Sequence, residues 1–488
     1  MSFPPVIDIH WANFAPELAL LITASITTLF ALFQRDGRSS AWLAMVGAVV
    51  AGALNANLWV LHRASGAGSS FGLRFLADTP GLALNFVILL GTVLAVLVSY
   101  DYLKRSGLDQ PEYYPLILFS ATGAMIMAGA GDLITLLLGL EIMSLPVYVL
   151  SAWRQEARQS EEAGMKYFLL GAFGSAILIY GAALTYGATG SFVYADIVAA
   201  LSAAGFSAPL LATLGGALVL AGLGFKAAIA PFHQWAPDVY TGAPTSVTTF
   251  MSVVVKTAAF AALIRIAATI YPSMEPWLLT TLAVLVGLTL VIGNLAALLQ
   301  TGVKRMLAYS AVAHAGYLGL AVLAGPDGVR AVAWYLAAYT LMNVGAFAVL
   351  MQVSDASDRG DELERFAGLG RRRPALAFAM TLFMLSLGGI PPLAGFAGKI
   401  LVFQAAISAG YVVLAVIGIL TSVVALVYYF RVITYMYFRE PEYEAEGYRS
   451  SAAAFAIGVA AVGTVLFGLF PGWWYGLLGT GQHLLAHM

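Results

Sequence analysis

Long apolar segments recur along almost the whole of this 488-residue chain. A helix crosses the hydrocarbon core of a bilayer in about 20 residues, and we count fourteen segments of that kind. Transmembrane β-strands would instead alternate apolar and polar residues over about ten positions. The sequence therefore predicts an all-α polytopic membrane protein forming a single integral membrane domain. The predicted spans are residues 14–33, 41–61, 81–100, 114–131, 132–153, 162–187, 209–230, 243–270, 276–299, 304–323, 329–353, 374–403, 411–430 and 452–470.

The composition excludes several classes of protein. Charged residues make up only 10% of the chain and hydrophobic residues 60%, whereas a soluble domain carries about 25% charged residues. A soluble enzyme and a disordered chain are both excluded. The 24 Lys and Arg nearly balance the 25 Asp and Glu, so nucleic acid is not an expected partner. Because the chain has no cysteine, disulfides, thiolate metal sites and iron–sulfur clusters are excluded within it, and we expect no metal site.

The distribution of Lys and Arg predicts the orientation of the spans. If the N-terminus lies outside, sixteen of the 24 basic residues fall in cytoplasmic loops, three in outer loops and five within spans. Cytoplasmic loops are normally rich in Lys and Arg, so we expect both termini outside. The longest inner loop, residues 354–373, is charged and is expected to be a solvated connector. The N-terminus shows no signal peptide, since residues 1–13 contain no Lys or Arg.

Several charged residues lie inside the predicted spans. A charge at the centre of a membrane costs about 2.5–3.5 kcal/mol on insertion scales, so such residues need a reason to be there. Arg265, Glu17 and Asp132 lie near span ends, where we expect them to reach the interface. The residues that favour a function are Glu141, Lys166, Lys226, Lys256 and Lys399, with Lys166 only four residues into its span.

Two spans are predicted to be broken. Pro231 follows Lys226 by five residues, and Pro391 and Pro392 precede Lys399 in a glycine-rich segment. A helical proline at 231 would deprive the carbonyl of Ala227 of its amide partner, and the other two would do the same to Leu387 and Gly388. Such carbonyls need another donor inside a membrane, which could be water, a side chain or a lysine.

The two breaks suggest an internal repeat. If spans four to eight and nine to thirteen form two units of five, each break falls in the fourth helix of its unit. Because five is odd, the second unit enters the membrane from the opposite side, as in transporters whose interrupted helices mark an ion path. We therefore divide the chain into three N-terminal spans (1–113), a first repeat (114–270), a second, inverted repeat (276–438) and a C-terminal span and tail (439–488).

Three motifs resemble a known family. Residues 226–256 read KAAIAPFHQWAPDVYTGAPTSVTTFMSVVVK, residues 388–399 read GGIPPLAGFAGK and residues 304–317 read KRMLAYSAVAHAGY. These segments resemble the antiporter-like membrane subunits of respiratory complex I, the proton-pumping NADH:quinone oxidoreductase. Tyr240 and Gly242 stand where the related L and M subunits usually have histidine and glutamate, and Lys399 where M usually has glutamate. The sequence is therefore most similar to the N-subunit family.

The resemblance implies a proton relay within this chain. Glu141 matches the family's fifth-helix glutamate, Lys166 its sixth-helix lysine, and Lys226, Lys256 and Lys399 its lysines in helices seven, eight and twelve. Burial disfavours the charged form of a lysine and a nearby carboxylate favours it, so Glu141 is expected to control proton release from Lys226. The three lysines would form a chain across the membrane plane, with Lys399 releasing protons outside. Further expected members of the relay or its water path are His233, His314, Ser310 and Tyr317.

The same resemblance places the redox chemistry elsewhere. This chain has no glycine-rich strand-to-helix turn for a dinucleotide, so we expect no cofactor in it. FMN, iron–sulfur clusters and quinone are expected in partner subunits, which would be the other membrane and peripheral subunits of complex I. The expected location is the bacterial cell membrane, with lipid, water and protons as the remaining partners.

Three other functions remain open at this point. A subunit of a multisubunit Na⁺/H⁺ antiporter would use the same lysines, although sodium sites usually need clustered carboxylates or carbonyls. A purely structural subunit would gain stability by losing its buried charges. A small-solute permease would need a midplane pocket, for which the sequence shows no distinct aromatic or polar cluster.

Overall fold

The computed structural model describes residues 9–34, 36–65, 67–204, 210–274, 276–355, 357–358, 361–441 and 448–478, and these are predominantly helical. Apolar segments form helices in a bundle because a helix satisfies its own backbone hydrogen bonds. The first part of the chain contains α1 (Ala15–Ala31), α2 (Arg38–Ser65), α3 (Thr79–Arg105), α4 (Tyr113–Ala128), α5 (Leu133–Ser151), α6 (Arg158–Thr189), α7 (Tyr194–Ala204), α8 (Leu210–Ala227), α9 (Trp235–Gly242), α10 (Thr245–Phe250) and α11 (Lys256–Thr269).

A single π-helical segment, Met251–Val255, joins α10 to α11. The second part contains α12 (Trp277–Leu298), α13 (Val303–Leu323), α14 (Val329–Val353), α15 (Leu369–Arg372), α16 (Pro374–Gly388), α17 (Ala394–Ser408), α18 (Val412–Phe438), α19 (Ser451–Leu469) and α20 (Pro471–Leu477). A short antiparallel hairpin of β1 (Gly68–Ser70) and β2 (Phe75–Ala77) pairs Ser69 with Leu76.

All fourteen predicted segments coincide with helices, and 374–403 coincides with two, α16 and α17. Eleven helices in the described part of the chain are long and apolar enough to cross a membrane. The other three predicted spans are the short α4, the more polar α13 and the divided α16–α17 segment. The prediction of a multi-pass helical membrane protein is confirmed, whereas the count of fourteen and the two inverted repeats stay predictions.

The centre of the bundle is formed by α10, the π-helical segment, α11 and α14. The most apolar stretches of Thr245–Ser273 and Gly325–Val353 are completely buried, whereas only about a third of the residues in the corresponding stretches of α6, α12 and α18 are buried. Close approach elsewhere depends on glycine: a Cβ at Gly181 of α6 would lie 2.8 Å from the carbonyl oxygen of Gly215 on α8. Small residues of this kind let membrane helices pack backbone to backbone.

Three acidic or basic groups expected at the interface are instead buried in the bundle. Arg265 donates to both carboxylate oxygens of Asp78, at 2.5 and 2.9 Å, and to the carbonyl of Ala128 at 2.8 Å. Asp132 caps α5 through the Thr135 amide at 2.6 Å, and Glu17 accepts a hydrogen bond from an asparagine. The expectation that these side chains reach the interface was wrong. Glu17 and Arg265 bond partners that are distant in sequence, and Asp132 caps its own helix.

The loop 354–373 also differs from the expected solvated connector. Asp358 is buried and forms an ion pair with Lys304 at 3.0 Å, and Leu363, Phe366 and Leu369 are buried against the bundle. The described part of this loop is therefore packed, because Leu363–Phe366 contacts α18 and α15 contacts both α16 and α18.

The Asp78–Arg265 pair generates a prediction about stability. Replacing Arg265 by Met leaves the buried Asp78 carboxylate without its partner, which typically costs about 3–5 kcal/mol. We expect a clear drop in the amount of the assembled membrane protein and in its temperature of thermal inactivation. The control is Arg74→Met, because Arg74 is 46% exposed and lies 3.7 Å from Asp132. Equal effects of the two substitutions would contradict the assignment.

Candidate functional site

Lys226 lies at the last turn of α8, in a pocket made by α5 and α6. Its amine donates to Ser144 Oγ at 2.8 Å and to the Tyr167 hydroxyl at 3.2 Å. It also lies 4.9 Å from the centre of the Tyr167 ring and 5.4 Å from that of Tyr148. Only 4% of Lys226 is exposed. A buried ammonium is therefore stabilised here by two hydroxyls and two aromatic faces.

Glu141 lies one turn before Ser144 on α5 and is partly exposed. Among the described residues, no ion pair within 4.0 Å joins Glu141 to Lys226, whose two polar partners are hydroxyls. Glu141 therefore lies on the helix that supplies Ser144 to Lys226, but the two charged groups do not form an ion pair.

Lys166 belongs to a different environment from that of Lys226. Its side chain is 40% exposed and pairs with Glu162 at 2.7 Å and Asp238 at 2.9 Å, and Asp238 also pairs with Arg305 at 3.0 Å. It is the neighbouring residue, Tyr167, that contacts Lys226. The sequence points to Lys166 as a buried relay residue, whereas the structure places it in a four-residue charged network at the surface.

The first helix break follows Lys226 directly. The helix ends at Ala227, before Pro231, and the chain turns at Ala228, whose φ is 58°. The prediction that a helical Pro231 frees the Ala227 carbonyl was therefore wrong.

Groups from neighbouring segments hold this break in place. The Trp235 indole donates to the carbonyl of Phe225 at 2.9 Å, and the Ala230 amide donates to Thr289 Oγ1 on α12 at 2.9 Å. His233 is partly buried, with its Nδ1 atom buried and unpaired. His233 Nδ1 at this break is therefore a buried polar atom that can still accept or donate a hydrogen bond close to the Lys226 site.

The second helix break binds Lys399. Its amine donates to the carbonyls of Leu387 and Gly388, at 3.0 and 2.9 Å, and to Ser422 Oγ on α18 at 2.7 Å. These are the two carbonyls that Pro391 and Pro392 were predicted to free, and a lysine was among the predicted donors. A lysine donor is thus confirmed. The two carbonyls are free because α16 ends at Gly388, before both prolines, and not because a helical proline displaces their amide partners. A surface cavity of about 250 Å³ between α16, α17 and α18 also reaches Lys399.

Lys256 lies between these two sites in the most buried part of the chain. It is the first residue of α11, directly after the π-helical segment, and is 3% exposed. Its amine donates to the carbonyl of Ala311 on α13 at 2.9 Å. π-Helical turns often occur at functional positions, because they displace one residue from the regular helical register.

A polar face of α13 leads from the Lys256 contact toward Lys399. Ser310, His314 and Tyr317 recur at helical spacing, and Lys399 lies 4.9 Å from the centre of the Tyr317 ring. The Tyr429 hydroxyl lies 2.5 Å from Ser310 Oγ and 3.3 Å from His314 Nε2. The structure therefore brings the predicted residues Ser310, His314 and Tyr317 together around the path from Lys256 to Lys399.

The sequence analysis missed several polar residues of this site. Tyr335 bonds His314 Nδ1 at 2.7 Å, and Tyr339 and Asn343 continue the same face of α14. The Tyr339 hydroxyl and Asn343 Oδ1 are buried and unpaired. Their spacing of four residues on an otherwise apolar span was the available signal. Ser144, Tyr167, Ser422 and Tyr429 were missed as well, although Ser422 and Tyr429 lie seven residues apart on one face of α18.

A large cavity lies at the ends of α5, α9 and α13. Its volume is about 1090 Å³, and its lining includes Arg154, Thr241, Lys304 and Asp358. The Asp358 carboxylate pairs with Lys304 and accepts hydrogen bonds from the Thr245 amide and hydroxyl. Thr245 is the first residue of α10, which leads through the π-helical segment to Lys256. The Lys304–Asp358 pair therefore lines the cavity next to the start of this segment.

The described residues contain no group of three or more His, Cys, Asp or Glu side chains that could hold a metal ion. The side chains described above offer amines, hydroxyls, the Glu141 carboxyl and the imidazoles of His233 and His314. Such groups can exchange protons.

Comparisons with known proteins show which family the chain is similar to. A sequence model of the family described as "NADH:quinone oxidoreductase/Mrp antiporter, TM" matches residues 130–425. NADH-quinone oxidoreductase subunit N of Trichlorobacter lovleyi is 42% identical over 460 residues, covering 93% of each chain. A chain of respiratory complex I from Thermus thermophilus is 38% identical with a TM-score of 0.81, covering 95% of this chain and 99% of that one. An Mrp complex chain from Dietzia has the same fold at 22% identity and a TM-score of 0.85, covering 98% of each chain.

The first break generates a prediction with a matched control. Thr289→Val removes the acceptor of the buried Ala230 amide, and an unpaired buried amide costs about 1–3 kcal/mol. We expect a lower temperature of thermal inactivation. Thr280→Val on the same helix removes a hydroxyl that bonds only the carbonyl of Pro276 and should be nearly neutral. A neutral Thr289→Val would show that the break does not depend on this contact.

Proposed function

This chain belongs to the NADH-quinone oxidoreductase subunit N family, and on that premise we propose that its buried lysines relay protons across the membrane plane. It is a proton-translocating membrane subunit of NADH-quinone oxidoreductase, respiratory complex I, and carries no redox chemistry itself. The relay would consist of Lys226, Lys256 and Lys399. Glu141 would control it from outside the line of lysines.

The observation that carries this proposal is the unequal bonding of the three amines. An ammonium has three N–H donors. Among the described residues, Lys399 has three oxygen acceptors within 3.2 Å, Lys226 has two, and Lys256 has one. Because a buried ammonium is costly unless its donors are paired, an excess proton is best held at Lys399 and least well at Lys256. Such a gradient suits a relay in which the central amine is charged only briefly.

The polar face of α13 supports transfer from Lys256 to Lys399. Ser310, His314 and Tyr429 are linked by hydrogen bonds, and Tyr317 lies under the Lys399 amine. The unpaired Tyr339 hydroxyl and Asn343 Oδ1 add polar atoms beside it. Buried water binds where such groups converge, so we propose that water completes this path and the step from Lys226 to Lys256.

Two cavities are candidates for proton uptake and release. The 1090 Å³ cavity ends at the Lys304–Asp358 pair, on the side that the distribution of basic residues predicts to be cytoplasmic. The 250 Å³ cavity reaches Lys399 from the other end of the line. We propose uptake through the first cavity toward Lys226 and Lys256, and release outside from Lys399. Lys166 would then tune the uptake side through its surface network, and His233 would line the nearby water path.

The remaining parts of the assembly are proposed from the family. The chain is a multi-pass membrane protein of a respiratory complex whose other subunits are its partners. FMN, iron–sulfur clusters and quinone would reside in those subunits. We propose a location in the bacterial cell membrane with both termini outside, in contact with lipid, water and protons and not with nucleic acid.

The alternative of a multisubunit Na⁺/H⁺ antiporter rests on the Mrp match. At 22% identity that match indicates a common fold only, whereas identities of 42–44% join the chain to N subunits. Na⁺ transport driven without a redox partner would favour the antiporter.

The proposed relay predicts that proton pumping is lost when the Lys226 amine or the Glu141 carboxylate is removed. Lys226→Ala and Glu141→Ala, each in the assembled complex, should reduce proton pumping and coupled quinone reduction to less than about a tenth. Losing one positioned proton-transfer group commonly costs a hundredfold or more. The measurement is NADH-driven acidification of sealed membrane vesicles together with NADH:quinone activity.

The control is Lys104→Ala, since Lys104 is an exposed amine that contacts Tyr100. It should leave both activities intact. Normal pumping and turnover in both relay variants would refute the assignment, provided that gels of the native complex show full assembly.

A further inference from the structure

A buried carboxyl lies in the N-terminal three-helix unit, α1–α3, and has no role in the lysine relay. Glu17 on α1 is 1% exposed, and it meets Asn85 on α3 and Asn55 on α2, which are 3% and 0% exposed. Asn85 Nδ2 donates to Glu17 Oε1 at 2.8 Å and to Asn55 Oδ1 at 3.3 Å. Asn55 Nδ2 donates to the carbonyl of Leu82 at 2.9 Å. One carboxyl and two carboxamides thus join three helices.

No basic side chain pairs with this carboxyl in the part of the chain that the structure describes. Charged and titratable groups on the elements around it have other contacts. Arg265 is bound to Asp78 at 2.5 Å, Arg74 lies 3.7 Å from Asp132, and the His62 ring lies 3.0 Å from Asn13 Oδ1. An ionised carboxylate taken out of water without a cation costs so much that such a group normally becomes neutral instead.

Two unpaired oxygen atoms of the cluster indicate which atom carries the neutralising proton. Glu17 Oε2 and Asn85 Oδ1 are both buried and have no hydrogen-bond partner. They belong to the two groups already joined through Asn85 Nδ2 and Glu17 Oε1. If the carboxyl were ionised, both oxygens would be buried acceptors with no donor, which is unfavourable for each of them. A proton on Oε2 turns one of them into a donor for the other.

We propose that Glu17, Asn85 and Asn55 form a buried proton-binding site in which the Glu17 carboxyl is held as a neutral acid. The acid and the Asn85 amide then form a cyclic pair with two hydrogen bonds. Asn55 extends this pair to the backbone of α3. The ligand is a proton that ties α1, α2 and α3 together, and none of the hydrogen bonds of this cluster leads to the lysine line.

The first test detects the proton directly. We expect the infrared difference spectrum between the wild-type complex and its Glu17→Gln variant to show loss of a carbonyl stretch from a protonated carboxylic acid at neutral pH. Asp196→Asn, which removes an exposed carboxyl, is the control and should show only loss of carboxylate bands. Loss of carboxylate bands in Glu17→Gln would overturn the proposal.

The second test separates a neutral acid from a bound cation. In Glu17→Gln the new amide N–H can donate to Asn85 Oδ1 as the acid does, so thermal inactivation should stay at the wild-type temperature, while Glu17→Ala lowers it. Equal losses in the two variants would show that a charged carboxylate is needed and would overturn the proposal. A Na⁺-dependent rise in wild-type stability that Glu17→Gln abolishes would overturn it in favour of a cation site.

Discussion

The structure depends on supplying oxygen acceptors to amines that have been removed from water. Each N–H of a buried ammonium that lacks an acceptor adds to the cost of burial. A regular helix has few carbonyls to offer, because its own amides use them. Breaking a helix at Gly388 therefore does two things at once: it leaves two carbonyls free, and it places them where Lys399 Nζ can take both, at 3.0 and 2.9 Å.

The two helix breaks pair their free carbonyls and their lysine amines in different ways. At the second break the lysine itself satisfies the free carbonyls. At the first, the indole of Trp235 bonds the Phe225 carbonyl, and Lys226 turns instead to the hydroxyls of Ser144 and Tyr167. Because hydroxyls rotate and both donate and accept, the Lys226 site can accommodate a charged or a neutral amine with little rearrangement. The Lys399 site, with two fixed carbonyls, is built mainly for the charged form.

The sequence predicted what depends on local pattern and missed what depends on distant contacts. The hydropathy pattern predicted a helix in each of the fourteen segments, and the structure has one in each. The prolines close to Lys399 in sequence pointed to the carbonyls of Leu387 and Gly388, which Lys399 binds. In contrast, Arg265 and Asp78 are 187 residues apart, and nothing in either segment indicates the other. The same holds for Lys166, whose position four residues into a span did not reveal its ion pair with Asp238, 72 residues away.

In the proposed relay, the position of Lys256 favours α13 as the helix that connects its two ends. Among the described residues the one acceptor of Lys256 is the carbonyl of Ala311, which lies within a continuous helix and is already paired along that helix. The lysine therefore shares this acceptor and gains less than it would at a break. One residue earlier, Ser310 begins the hydrogen-bonded group that includes Tyr429 and His314. In the proposed relay, a proton that Lys256 holds weakly can therefore pass to Ser310, Tyr429 and His314. These groups lie on the face of α13 that also carries Tyr317, next to Lys399.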